Sequence, residues 1–73
     1  MKQFNLERAK AGDAVCTRNG MSVRIICYDM KAEGFPIVAL IRRRDGSELG
    51  GYYTEEGRCF LHSECERDLM MKD

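Results

Sequence analysis

Two turn signatures constrain the fold of this chain more than any other feature of its sequence. Residues 17–20 read Thr-Arg-Asn-Gly and lie between two apolar runs with strand character. Residues 53–58 read Tyr-Thr-Glu-Glu-Gly-Arg and lie between two further runs of the same kind. Glycine near the end of a short polar loop supplies the positive φ that tight hairpins require. The two signatures therefore predict a small antiparallel domain built from β-hairpins.

The length of the chain limits what such a domain can do. Its 73 residues make a single domain, residues 1–73, and a chain of this size buries only about 60% of its unfolded surface. No apolar run approaches the roughly 20 residues of a membrane span, and the first residues carry an acid at Glu7 and no apolar signal region. We expect a cytoplasmic protein with reduced cysteines.

Charge is balanced overall but is unevenly distributed along the chain. Residues 1–44 contain nine Lys or Arg and four Asp or Glu, a net charge of +5, whereas residues 45–73 contain three and eight, a net charge of −5. Nucleic-acid-binding domains usually carry a basic surplus, because contacts with phosphates supply most of their affinity. The composition therefore argues against a general nucleic-acid binder and leaves room only for a local basic patch.

Helix signals flank the predicted strands. Asn5 has a side chain that can cap a helix over residues 6–11, and Gly12 provides a stop. Near the other end, residues 63–66 read Ser-Glu-Cys-Glu, which has the form of a capping box. This pattern predicts a second short helix over residues 64–71.

The first hairpin has a predicted register that assigns side chains to two faces. If Asn19 and Gly20 form a two-residue loop, Cys16 lies opposite Val23. Strand alternation then places four apolar side chains on the core face, namely Cys16, Val23, Ile25 and Cys27. The same alternation places Ile26 and Tyr28 together on the opposite face.

Two further hairpins complete the predicted sheet. Residues 45–46 close the second hairpin and pair Arg43 with Glu48, which have opposite charges. Gly57 closes the third hairpin and puts residues 58–60 in a fifth strand. The prediction is a mainly β fold, a five-stranded bent antiparallel meander resembling an SH3-like small barrel, with short N- and C-terminal helices.

Several short motifs in this frame carry a family resemblance. Phe-Asn-Leu stands at residues 4–6, Thr-Arg-x-Gly at residues 17–20, Tyr-Thr-x-x-Gly-Arg at residues 53–58 and Asp-Leu at residues 68–69. In these motifs the chain resembles a widespread set of small uncharacterised proteins encoded by bacteriophages and prophages. The resemblance implies a phage or prophage origin. It implies no activity, so no catalytic residue is carried over from it.

The cysteines near the C-terminus suggest one metal-binding pattern. Cys59, His62 and Cys65 are spaced by two residues each, and Cys16 or Cys27 could supply a fourth ligand to zinc. Structural zinc sites normally use two tight ligand pairs, however, and neither Cys16 nor Cys27 belongs to such a pair. We therefore expect no metal and no cofactor. The sequence has a single histidine and no nucleophile motif, which argues against a catalytic site. We therefore expect no catalytic residues and a protein that is not an enzyme.

Two binding functions remain after this reasoning. Strands two and three carry apolar residues on both faces, so we expect contact with a protein partner or a second copy of the chain, through the side that bears Ile26 and Tyr28. The alternative is a small nucleic-acid-binding β module. In that case the basic run at residues 42–44, made of Arg42, Arg43 and Arg44, would grip phosphates with the help of Arg24.

Overall fold

The computed structural model describes residues 1–31, 33–60 and 63–72 and contains one antiparallel sheet of six strands. In chain order the elements are β1 (Lys2–Gln3), α1 (Leu6–Lys10), β2 (Val15–Thr17), β3 (Ser22–Cys27), β4 (Ile37–Arg42), β5 (Glu48–Tyr53) and β6 (Leu69–Met71). The strand order across the sheet is β1-β6-β2-β3-β4-β5. The sheet is open, with β1 and β5 at its edges, so the mainly β class is confirmed and closure into an SH3-like barrel is not.

The C-terminal segment is a strand, and the prediction of a helix over residues 64–71 was wrong. Strand β6 inserts between β1 and β2 and pairs with both of them. Leu69 and Met71 are buried while Met70 between them is half-buried, which is the two-residue period of a strand. The apparent capping box forms a turn, in which the Asp68 N–H donates to the carbonyl of Cys65 at 3.0 Å. Residues 58–60 belong to no strand, so β6 takes the place of the predicted fifth strand.

The N-terminal helix was predicted correctly. The side chain of Asn5 caps α1 by accepting a hydrogen bond from the Arg8 N–H at 3.0 Å. Ala9 is buried and belongs to the hydrophobic core, so this short helix packs on the core face of the sheet. It is the only α-helix in the described ranges, and nothing in these ranges is a helix long and apolar enough to cross a membrane.

The first hairpin turns through a three-residue loop, which moves its register by one residue from the prediction. Thr17 and Met21 close the loop, with the Thr17 N–H donating to the Met21 carbonyl at 2.8 Å. The Met21 N–H donates in return to the Thr17 hydroxyl at 2.9 Å, a bond that a two-residue loop would not provide. As a result Cys16 lies opposite Ser22 and not opposite Val23.

The second hairpin has a loop of the same length. The Arg43 N–H donates to the carbonyl of Ser47 at 2.8 Å, so Arg42 and not Arg43 lies opposite Glu48. The predicted positive φ is confirmed at Gly20, Gly46 and Gly57, where φ is 91°, 88° and 82°.

A bulge in β3 changes the predicted faces a second time. Ile25 pairs with Ala39 and Cys27 pairs with Val38, which leaves Ile26 as an extra residue between them. Directly paired residues point to the same face of a sheet, so Cys27 shares the face of Val38 and lies away from the core face of Ala39. Cys27 was therefore predicted on the wrong face.

The core lies on the face of the sheet that α1 covers. Its buried members are Phe4, Ala9, Val15, Ile37, Ala39, Ile41, Tyr53, Leu69 and Met71, and Val23, Ile25 and Tyr28 pack against them in part. Cys16 is also buried, but its neighbours Ser22 and Met70 in the register put it on the opposite face from Val15. The prediction that Cys16 lies on the same face as Val23 was wrong, because the three-residue loop shifts the strand by one position.

Candidate functional site

The segment that connects β5 to β6 is held in place by a turn with the same hydrogen bonds as the first hairpin. The Thr54 N–H donates to the Arg58 carbonyl at 2.9 Å, and the Arg58 N–H donates to the Thr54 hydroxyl at 3.1 Å. The segment then runs to Leu69, whose N–H donates to the carbonyl of Gly57 at 2.7 Å. These bonds anchor both ends of a loop that carries two cysteines.

Asp68 organises this loop from within. Its side chain is almost fully buried, and its two carboxylate oxygens accept backbone hydrogen bonds from Cys59 at 2.9 Å and Cys65 at 3.0 Å. The Arg18 guanidinium reaches one of the same oxygens at 3.5 Å. Burial alone would raise the pKa of Asp68, but the two N–H groups together with Arg18 outweigh it and lower the pKa.

Both hairpins dock onto the same loop. The backbone N–H of Arg18 donates to the Asp68 carbonyl at 2.9 Å, and that of Asn19 donates to the Glu66 carbonyl at 3.0 Å. From β5, the Tyr53 hydroxyl donates to the Arg67 carbonyl at 2.8 Å. Tyr53 is fully buried, and burial is the main cause of its raised pKa, so this hydroxyl stays protonated as a donor.

Two thiols and a carboxylate meet in this loop. The ligand atoms of Cys59, Cys65 and Asp68 all lie within 4.8 Å of one another, and both cysteines are half-buried. Burial, followed by the effects of Cys65 and Asp68, raises the pKa of the Cys59 thiol to about 12. The structure thus brings together two of the three predicted metal-ligand candidates, while the third, His62, lies outside the described residues. Cys27 does not belong to the group.

The outer face of the sheet carries the second candidate site. We use "outer face" for Ile26, Cys27, Val38, Leu40 and Tyr52. Ile26 is 52% exposed and Tyr52 is 61% exposed. Tyr52 lies directly opposite Val38, which is half-buried, as is Leu40 on the same strand. The result is an apolar strip across β3, β4 and β5.

Tyr28, which was predicted beside Ile26, packs elsewhere. It is half-buried against the hydrophobic core, and the ammonium group of Lys10 from α1 lies 5.8 Å from the centre of its ring. The bulge at Ile26 explains the separation, because it adds one residue to the alternation and turns the following side chains to the other faces. The structure therefore retains Ile26 on the predicted side of the sheet and does not bring Tyr28 to it.

The predicted basic cluster lies at the β4–β5 turn. Arg42, Arg43 and Arg44 are exposed and line an open cleft whose other wall is the first hairpin turn, residues 19–22. Arg24 does not join them. Its guanidinium makes two hydrogen bonds with the Glu48 carboxylate, at 2.7 and 2.9 Å, and this pairing raises the pKa of Arg24 and lowers that of Glu48.

Sequence reasoning missed two residues that the structure places in these sites. Asp68 stands three positions after Cys65, a spacing that could have been recognised as a second ligand pair. Tyr52 precedes the core residue Tyr53, and strand alternation alone would have assigned it to the solvent face. Asp68 was recognised only as part of a family motif, and Tyr52 was not considered as an interface residue.

Comparisons with known proteins give one match. A family model described as Haemophilus phage HP1 protein YO09 matches residues 1–71 of the chain. No match was found among curated proteins or among solved structures. The matched region includes every strand, the helix and both candidate sites.

Proposed function

We propose a function for this chain, which belongs to the family of Haemophilus phage HP1 protein YO09. It is a small phage-related protein, and we propose that it serves as an accessory protein that acts by binding another protein molecule rather than by catalysis. The binding partner that we propose is a second copy of the same chain. The surface that makes the contact is the outer face of the sheet.

The exposure of Ile26 and Tyr52 is the observation that supports this proposal. Each leaves more than half of its surface in water, at 52% and 61%, and the half-buried Val38 and Leu40 extend the same strip. Single exposed apolar side chains are common on monomers, whereas a contiguous strip with a polar border is typical of a protein interface. A chain of 73 residues with a thin core also gains stability by covering such a strip.

The charges beside the strip permit a second copy to pack on it. Arg24 lies next to Leu40 in the sheet register and pairs with Glu48 from β5, and Arg42 lies directly opposite the same Glu48. In a two-fold dimer the same surface is present on both sides of the contact, so unbalanced cations close to the symmetry axis would repel each other. Because the Glu48 carboxylate lies between Arg24 and Arg42, it offsets part of their positive charge and reduces the repulsion between two outer faces.

Sedimentation velocity over a range of protein concentrations tests the proposal. We expect the wild type to form dimers and Ile26→Asp and Tyr52→Asp to be monomers, because each buries a carboxylate in the contact. Ala11→Asp is the matched control, since it adds the same charge at an exposed position after α1, on the covered side of the sheet. A wild type that stays monomeric at all concentrations, or a control that dissociates as readily as Ile26→Asp, contradicts the proposal.

A second function rests on the basic cleft. Arg42, Arg43 and Arg44 are all exposed and line one open cleft together with residues 19–22, which is an arrangement that could hold a phosphate chain. Filter binding of labelled single- and double-stranded oligonucleotides at several salt concentrations tests it. Binding that weakens with salt, and a smaller salt dependence for a triple Arg→Ala variant of residues 42–44, would support this second function over the first.

A further inference from the structure

The loop between β5 and β6 has a feature of metal-binding turns that does not depend on the outer face. Cys65 and Asp68 are separated by two residues, the spacing of the ligand pairs in many structural zinc sites. Between them the backbone N–H of Arg67 donates to the Cys65 sulfur at 3.5 Å, and the N–H of Asp68 donates to the Cys65 carbonyl at 3.0 Å. The turn thus presents a sulfur and a carboxylate on the same side.

Cys59 adds a second sulfur from the opposite end of the loop. Its thiol lies within 4.8 Å of both the Cys65 thiol and an Asp68 carboxylate oxygen. A tetrahedral zinc with bonds of about 2.0–2.3 Å needs ligand atoms separated by roughly 3.5–4 Å, so an inward movement of no more than about 1 Å would bring all three within bonding distance. The anchoring of the loop at Gly57 and Leu69 keeps these groups together without a metal.

Asp68 is already oriented as a ligand would be. The backbone N–H groups of Cys59 and Cys65 each occupy one carboxylate oxygen, and a carboxylate has about four lone-pair sites, so further sites remain for a cation. Hydrogen bonds of this kind to a ligating carboxylate are a regular part of metal sites. Arg18 is the nearby cation, 3.5 Å from one oxygen with its side chain 42% exposed, and it can turn toward Glu64, which it already contacts at 3.4 Å.

We propose that Cys59, Cys65 and Asp68 form a binding site for one zinc ion, with the fourth position open to water or another ligand. Two thiolates with a carboxylate suit zinc better than the hard cations magnesium or calcium, which prefer oxygen ligands throughout. Binding releases the two thiol protons to solvent as the sulfurs become ligands. The ion would fasten the β5–β6 segment against both hairpins. This departs from the sequence expectation of no metal, which rested on the lack of a second ligand pair.

The test is a titration of the reduced, metal-free protein with Co²⁺, which reports thiolate ligation by a charge-transfer band, followed by displacement with Zn²⁺. We expect a band that saturates at one Co²⁺ per chain and disappears with one equivalent of Zn²⁺. Cys59→Ser and Cys65→Ser should lose stoichiometric binding. Cys16→Ala is the matched control, because it removes a buried thiol that lies outside the group and outside the residues of the outer face, and it should bind as the wild type does.

Thermal melting with and without Zn²⁺ provides a readout that does not depend on colour. A ligand that binds only the folded state raises its melting temperature, so the wild type and Cys16→Ala should shift upward on adding Zn²⁺ while Cys59→Ser should not. A wild type without a charge-transfer band and without a shift overturns the proposal. So does a band of equal intensity in Cys59→Ser, or a band lost in Cys16→Ala, since either would place the bound ion elsewhere.

Discussion

The backbone of Gly57 lies against the ring of Phe4 so closely that a Cβ atom on Gly57 would stand 2.8 Å from the Phe4 Cγ. The same added atom would stand 3.0 Å from the Cβ of Leu69. This glycine therefore serves two purposes, since it supplies the positive φ of a turn and also lets that turn enter the hydrophobic core. Through this contact the N-terminal segment, the second turn signature and β6 are packed into one unit.

Gly57→Ala should be far more destabilising than Gly20→Ala. Both glycines have positive φ, 82° and 91°, so both substitutions incur the strain of a left-handed residue, about 1–2 kcal/mol. Only at Gly57 does the new methyl group also collide with a buried ring, because nothing lies within 4 Å of the corresponding position at Gly20. We expect a loss of at least about 3 kcal/mol in the free energy of unfolding for Gly57→Ala, measured by urea denaturation. Equal losses for the two variants would contradict this packing.

Asp68→Asn should destabilise the fold in the absence of any metal. The substitution keeps the shape of the side chain but replaces one acceptor oxygen by an NH₂ group that faces a backbone N–H, from either Cys59 or Cys65. Losing a charge-assisted hydrogen bond and leaving a buried donor unpaired costs roughly 2–4 kcal/mol. Urea denaturation of Asp68→Asn and of the wild type in the presence of a chelator measures this loss in the free energy of unfolding. The exposed neighbour Glu66→Gln is the control and should change stability by less than about 0.5 kcal/mol.

The elements predicted from the sequence were those with local causes. Asn5 and Gly12 mark the start and the end of a helix through contacts within a few residues. The turn glycines predict hairpins for the same reason, because their positive φ is a local property. The register failed because Thr-Arg-Asn-Gly is compatible with loops of two or three residues. The three-residue loop is stabilised by the Thr17 hydroxyl, which accepts a hydrogen bond from the Met21 N–H only in that longer loop.

The remaining misses depend on contacts between distant parts of the chain. Strand β6 acquires its conformation by pairing with β1 and β2, more than 50 residues away in the sequence, so its three residues gave no strong local signal. The bulge at Ile26 interrupts a run of apolar residues in which either alternation was acceptable. Likewise the sequence predicted only part of the candidate metal site. Cys59 and Cys65 were recognised as possible ligands, whereas Asp68 gains its position from hydrogen bonds that form only in the folded chain.

The Glu48 carboxylate should titrate below its ordinary pKa of 4.5 because of its hydrogen bonds to Arg24. A lowered pKa in the folded state means that the pair stabilises the fold above the ordinary pKa and that this stabilisation is lost as pH falls through the lowered value. Both side chains are at the surface, so the effect on stability is small and the titration itself is the better measurement. NMR titration of the Glu48 carboxyl should show the lowered pKa in the wild type and a return toward 4.5 in Arg24→Gln. An unchanged pKa in that variant would contradict the pairing.

The Thr54 hydroxyl should contribute more to stability than the Thr54 methyl group. Thr54 is buried, and its hydroxyl accepts the Arg58 N–H at 3.1 Å inside the turn that Gly57 completes. Thr54→Val keeps the shape and removes the acceptor, which leaves the Arg58 N–H without its partner and should cost about 1–2 kcal/mol. Thr54→Ser keeps the acceptor and removes one methyl group, which should cost about 1 kcal/mol or less. Urea denaturation of the two variants beside the wild type gives the comparison. If Thr54→Ser proves the more destabilising of the two, then Thr54 acts mainly by filling space, and the hydrogen bonds shared by the two turn signatures are not what holds the β5–β6 segment in place.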